Sequence, residues 1–346
     1  MPSPLPLFDC HLDLAHLAEL GRDMHAPLHD CRGPLQPAAV TLPTLREAAV
    51  RACLGTIFTE AVDPNDADAL ARASAFPAGD ALAAWKQGMR QLKLYLAWRD
   101  AGLIDLLQRR GRPQPAGTAP LTLGILMEGA DPIETPGQLS EWVEGGVVAI
   151  GLAWWTSSRY AGGNGTNDGL TDLGRALIER MDELGVVHDA SHLSDKSLEG
   201  LFKHSAALVI ASHSNCRALL DPKNQRHLTD DAIREIGARG GVVGLNLVRN
   251  FIREGLDRNN PKDRPSIAEA IDHVEHVAQV MGRRDGVVLG TDMDGGITAD
   301  DLPAGINTPT DLHKLLDELR ARGWSDAEVR GFAWNNAARL WGIDEI

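Results

Sequence analysis

Eight short apolar runs punctuate the chain: LPLFDCHL, VRACLGTIFT, LTLGILMEG, VVAIGLAW, GVVHDASH, ALVIASHS, GVVGLNLV and GVVLGTDMDG. Most are rich in Val, Ile and Leu without strict alternation, which is how strands buried on both faces read. Helical patterns lie between them. DALAAWKQGMRQLKLYLAWRDAGLIDLL is long and amphipathic. LTDLGRALIERMDELG opens at Thr171 or Asp172 and closes at Gly185. SIAEAIDHVEHVAQVMG and SDAEVRGFAWNNAARLWG each open with a capping box, Ser266 with Glu269 and Ser325 with Glu328. Strands alternating with helices predict an α/β fold, a (β/α)8 barrel of the TIM type. The alternative is an open doubly wound sheet. No G-x-G-x-x-G follows the first strand, which weakens a dinucleotide-binding version of it. RRGRPQPAGTAP, 109–120, reads as a connector before the third strand, so residues 1–346 are expected to form one domain.

Composition narrows the function. Lys+Arg 34 against Asp+Glu 48 gives a net charge of −14, with no basic cluster, so nucleic acid and anionic membrane are poor partners. No apolar run approaches the ~20 residues that span a bilayer. The start, MPSPLPLFDC, has no charged region of the kind that opens a signal peptide. Cys10, Cys31, Cys53 and Cys216 show no paired spacing, so the expected compartment is the reducing cytoplasm.

The chemistry is expected at the C-terminal ends of the strands, where barrels of this type carry their active sites. In FDCHLDL, Asp9, His11 and Asp13 fall at every second position, which on a regular strand puts all three on one face. A solvated edge strand would look the same. The other strand ends add Glu128 in LMEGAD, His192 in HDASHLSD, His213 in IASHSN and Asp292 in LGTDMDG. Singly, each of these is readily a hydrogen-bonded loop residue or a helix cap. Together, five strand ends deliver three imidazoles and three carboxylates to one rim, a set that calls for a cation. Nitrogen with carboxylate oxygen is the ligand mix of zinc or a similar divalent ion. Six groups exceed one catalytic zinc and suit two ions sharing a carboxylate, with one group left for proton transfer. Asp9 and His188 are expected deeper in the barrel, Asp9 as a supporting or interior residue and His188 as an interior one.

These motifs resemble the membrane dipeptidase (renal dipeptidase) family of zinc peptidases, from FDCHLDLAH to NNAARLWGI. DCHLD, MEGAD, DASH, SHSN and GTDMDG match family motifs in order, with Cys10 in place of a glycine. The resemblance implies that His11 and Asp13 hold one metal ion and His192 and His213 the other, with Glu128 between them. It implies that Asp292 relays protons for a metal-bridging hydroxide. Arg226, in NQRHLTDD, matches a family Arg that binds the substrate carboxylate, a task suited to a planar guanidinium. At the end of strand four, where the family commonly has a substrate-contacting His, this chain has Trp154. The function implied is binuclear hydrolysis of the amide of a dipeptide or N-acyl amino acid, with two divalent ions, zinc the best match. The substrate is a small molecule, and a homodimer is the assembly implied. A related metal hydrolase or deaminase acting on a lactone or cyclic amide, and a non-catalytic metal-binding member, stay open as alternatives.

Overall fold

The computed structural model describes residues 4–115, 117, 119–257 and 259–346. Met1–Ser3, where the leader expectation begins, and Ala116 and Thr118 of the 109–120 connector lie outside the described residues. Eight parallel strands coincide with the eight apolar runs. They are β1 (Leu7–Leu12), β2 (Val50–Phe58), β3 (Thr122–Glu128), β4 (Val147–Gly151), β5 (Val187–Asp189), β6 (Val209–Ile210), β7 (Val243–Leu245) and β8 (Val287–Leu289). The hydrogen-bonded order runs β7-β8-β1-β2-β3-β4-β5-β6. A parallel bridge from Ala211 to Val243 joins β6 back to β7, so the sheet curls into a barrel.

Helices surround it, and their ends follow the local chemistry. α1 (Leu14–Glu19) starts directly after β1. α2 (Ala81–Asp100) is capped by the Asp80 side chain and ends before Gly102, which sits at φ 71. The helix expected through Leu107 therefore stops early. Asp105–Leu106 instead pairs beside β3, and Leu107 joins the barrel interior. The reason is the left-handed glycine, which an α-helix cannot pass through. α3 (Asp172–Leu184) opens on Thr171 and closes on Gly185. α4 (Ile267–Met281) carries the Ser266–Glu269 capping box. α5 (Asn336–Trp341) follows the Ser325 capping box and a π-helical turn, and ends the fold. Among the described residues no helix is long and apolar enough to cross a membrane.

The barrel interior is a packed plug. Phe8, Cys10, Leu54, Leu126, Val148, Val187, Ile210 and Val288 form one apolar cluster, joined from below by Trp334, Leu340 and Trp341. Phe8 stacks on Trp341 at 5.7 Å and meets Trp334 at 5.9 Å. The C-terminal segment thus closes the N-terminal end of the barrel, opposite the mouth that carries the strand ends. Trp341→Ala is expected to lower stability by about 3–5 kcal/mol through lost burial and a cavity. Denaturant unfolding measures this; a loss below about 1 kcal/mol would show that the plug does not tie the barrel together.

Two polar residues differ from their expected places. β1 carries a register shift: Asp9 pairs with Cys53, but Leu12 pairs with Gly55. The extra residue breaks the alternation. Asp9 therefore lies level with Cys53 and Leu289, which pack in the layer between barrel and helices, and not on the face of His11 and Asp13. Its carboxylate accepts hydrogen bonds from the His11 N–H and from the N–H and hydroxyl of Thr291, tying β1 to the end of β8. His188 is not in the barrel interior. Val187 faces inward, so His188 faces outward, with Nε2 2.6 Å from Asp182 of α3. Parity counted back from His192 fails because β5 ends at Asp189 and His192 lies beyond it, in a left-handed backbone conformation.

Candidate metal centre

The mouth of the barrel gathers six side chains. His11 and Asp13 come from the end of β1, Glu128 from β3, His192 and His213 from the loops after β5 and β6, and Asp292 from the loop after β8. Glu128 sits among the imidazoles. Its Oε1 lies 3.2 Å from His192 Nε2 and 3.4 Å from His213 Nε2, and its Oε2 lies 3.6 Å from His11 Nε2. His11 Nε2 is also 3.8 Å from Asp13 and 3.9 Å from Asp292. His192 and His213 bring their Nε2 atoms within 2.9 Å of each other.

The donor set fits a cation. His11 Nε2 is fully buried, faces three carboxylates and has no hydrogen-bond partner. His11, Glu128 and His213 have ligand atoms within 4.8 Å of one another, and so do His11, Asp13 and Asp292. Electrostatics say the same. Burial disfavours a charge on His11, yet Glu128, Asp13 and Asp292 outweigh it and raise the imidazole to about 10. Burial also raises Asp292, to about 7; His11 opposes that shift, while Asp13 and Glu128 add to it. Glu128 is buried as well, but His11, His192 and His213 hold it well below the usual carboxylate range. Burial and the Arg226 charge lower His192 to about 4, leaving it neutral, the form that binds metal.

A ring of supporting residues orients these groups. His192 Nδ1 lies 2.9 Å from Asn164 Oδ1, an acceptor, so Nδ1 carries the proton and Nε2 the lone pair. Ser212 donates to Asp189 Oδ2 at 2.6 Å and lies 2.7 Å from His213 Nδ1, which fixes the same tautomer on His213. Thr56 donates its hydroxyl to Asp13. Asn246 donates Nδ2–H to Asp292 Oδ2 at 2.9 Å, leaving Oδ1 toward the centre. Such partners set ligand orientation and basicity. Sequence reasoning missed them. Asp189 and Ser212 stood inside DASH and SHSN, and Asn246 interrupts the apolar run GVVGLNLV just after β7, so a lone polar residue within or beside an apolar run was the available signal. Asn164, in a glycine-rich loop 28 residues from His192, offered none.

The backbone is strained here. His192, Asp292 and Asp294 all have positive φ, between 57 and 67. Left-handed non-glycine residues cost energy and cluster at functional sites. Gly295 is needed for another reason: a Cβ there would meet Asp292 Oδ1 at 2.0 Å. Asp294 does not face the centre. It pairs with buried Arg22 and accepts from the Ala39 and Val40 N–H groups, binding the 33–40 loop to the mouth.

A cavity of about 660 Å³ opens onto the centre and is lined by Asp13, Glu128, His192 and Asp292. Trp154 also lines it, edge-on to Phe58 at 4.9 Å and tilted against His192 at 5.9 Å. Arg226 is not among the lining residues. It is buried, donating to Ser214 Oγ and to the His213 carbonyl, with Phe251 of the cavity wall 5.1 Å over its guanidinium.

A parallel barrel whose mouth converges imidazoles and carboxylates beside a cavity of this kind is the architecture of a metal-dependent hydrolase. The sequence model for Membrane dipeptidase (Peptidase family M19) matches residues 2–345; the chain belongs to this family and is a metallodipeptidase. It is 33% identical over 223 residues to an uncharacterized protein in the pqqA 5' region of Klebsiella pneumoniae, covering 62% of this chain and 79% of that one. The fold is shared with a metallopeptidase from Rhodobacter sphaeroides liganded with a phosphinate mimic of L-Ala-D-Ala: TM-score 0.79, 24% identity, coverage 98% and 99%. It is shared too with the probable dipeptidase PvdM from Pseudomonas aeruginosa: TM-score 0.78, 20% identity, coverage 98% and 95%.

If Asn164 orients His192, Asn164→Ala is expected to weaken divalent-metal binding by about 10–100-fold without unfolding the protein. Competition with a chromophoric chelator reads this. An unchanged affinity would remove Asn164 from the support of the centre.

Proposed function

We propose that the centre holds two divalent ions, best matched by zinc, His11 and Asp13 holding one, His192 and His213 the other, with Glu128 bridging. The observation that carries this reading is the division of Glu128, one oxygen toward His11 and the other toward His192 and His213. Bound divalent ions supply Lewis acidity, drawing the pKa of a water toward about 7 and polarising a carbonyl. The remaining work falls to the chain. Asp292, oriented by Asn246, takes the proton of the attacking water through Oδ1 and delivers it to the leaving amine. The bond cleaved is the amide of a dipeptide, with an N-acyl amino acid as the variant substrate. Arg226 supplies the positive charge that favours a substrate carboxylate. The four unpaired cysteines support a reducing compartment, and we place the protein in the cytoplasm.

Trp154 sets the substrate range. An indole in place of an imidazole narrows the cavity beside His192 and offers a single N–H to a developing oxyanion. Dipeptides with a small or D-configured C-terminal residue then fit better than bulky L-L dipeptides. The ligand of the Rhodobacter neighbour, a mimic of L-Ala-D-Ala, has this form.

Metal analysis and a dipeptide panel, L-L against L-D, test the proposal on the zinc-loaded enzyme. About two ions per chain and turnover of L-D dipeptides are expected; no bound metal after purification in excess zinc would sink it. Asp292→Asn is expected to keep the metals and lower kcat by about 10²–10⁴-fold. Loss of both metals in that variant would make Asp292 a ligand instead. Trp154→His is expected to raise turnover of L-L dipeptides. A wild type already cleaving bulky L-L dipeptides with kcat/KM above about 10⁵ M⁻¹s⁻¹ would show that Trp154 imposes no limit.

A further inference from the structure

His16, three residues beyond Asp13, lines the same cavity and takes no part in the centre. Its ring is fixed on two sides. Phe58 meets it edge-on, with centroids 5.1 Å apart and planes at 77°. Its Nδ1 lies 2.8 Å from Ser74 Oγ. The Ser74 hydroxyl has one proton, and Glu19 Oε2 accepts it at 3.1 Å. Gln91 Nε2 donates one proton to the Phe58 carbonyl at 2.6 Å and the other to Ser74 Oγ at 2.9 Å. Ser74 Oγ is therefore an acceptor toward His16, and Nδ1 carries the proton. The order His16–Ser74–Glu19 repeats His213–Ser212–Asp189. Ser74 is wholly buried at φ 66, so the chain tolerates a left-handed serine to place this hydroxyl.

The consequence lies at the other ring nitrogen. Nε2 carries a lone pair, points away from Ser74 and has no protein partner among the described residues. It stands on a cavity lined also by the carboxylates of Asp13, Glu19 and Glu60, of which Glu19 is paired with Arg90 at 2.8 Å. Arg72, a cation lining the same cavity, is paired with Glu60 at 3.1 Å. An oriented acceptor among carboxylates suits a cationic donor, and a cation beside two divalent ions needs such acceptors to enter at all.

We infer that His16 Nε2 receives the free ammonium group of the substrate's N-terminal residue, and so selects dipeptides over N-acyl amino acids. This rests on the dipeptidase reading and adds a direction to it: the amino end lies against the wall formed by α1 and the end of β2. An N-acyl amino acid brings a hydrocarbon or a carbonyl oxygen to the same acceptor and leaves it unpaired.

The test compares L-Ala-D-Ala with N-propionyl-D-Ala, which differs only in lacking the ammonium group, on zinc-loaded wild type, His16→Phe and His16→Gln. His16→Phe keeps a ring against Phe58 but no acceptor; His16→Gln keeps an acceptor. The wild-type preference in kcat/KM for the dipeptide is expected to fall about 10–100-fold in His16→Phe, chiefly through KM, and to survive largely in His16→Gln. Ser74→Ala, which releases Nδ1, is expected to shift the preference in the same direction, a second and independent variant. A His16→Phe enzyme that loses activity equally on both substrates, or keeps the full preference, overturns the inference while leaving the dipeptidase reading intact. A wild type that cleaves neither substrate overturns both.

Discussion

Three carboxylates, Asp13, Glu128 and Asp292, lie more than nine-tenths buried within 4 Å of one imidazole nitrogen. Buried like charges repel, and burial alone penalises each of them by several kcal/mol. The chain alone answers with a proton on His11 and a raised Asp292. That answer is incomplete, because His192 and His213 stay neutral with lone pairs turned toward each other at 2.9 Å. A positive charge between Glu128 and those two nitrogens resolves the conflict. The requirement for cations at this point explains the left-handed residues at the strand ends, the hydrogen bonds behind each imidazole, and the glycine at 295.

The barrel supplies the rigidity that such an arrangement needs. Its interior is filled from Phe8 up to Leu126, and Trp334 and Trp341 close it below. The strand ends are therefore fixed points, and His192, His213 and Asp292 each stand over the mouth three residues beyond the end of β5, β6 and β8. The extra residue in β1 matters in the same way. It lets His11 and Asp13 face the mouth while Asp9 stays behind them, bonded to Thr291, and so joins the first and last strands beneath the centre.

Much of this was legible in the chain. Apolar runs mark all eight strands, because each is buried on both sides. The residues ending those runs name the centre, because barrels expose their strand ends. What was not legible depends on geometry rather than pattern. A register shift leaves no trace in FDCHLDL, so Asp9 looked like a face-mate of His11. His188 looked interior because a loop conformation at His192 upset the count. Asn164 and the His16–Ser74–Glu19 chain join residues that lie 28 to 58 positions apart, and only the folded chain brings them together. Arg226 matched a motif, yet its place beneath Phe251 is set by packing.

The central claim is that Glu128 stands between two cations. Crystals grown with excess zinc and measured at the zinc absorption edge address it directly. Two anomalous peaks flanking the Glu128 carboxylate, one beside His11 and Asp13 and one beside His192 and His213, are the expected result. A single peak that leaves one of those pairs without a metal contact, or no peak at the barrel mouth, would contradict it.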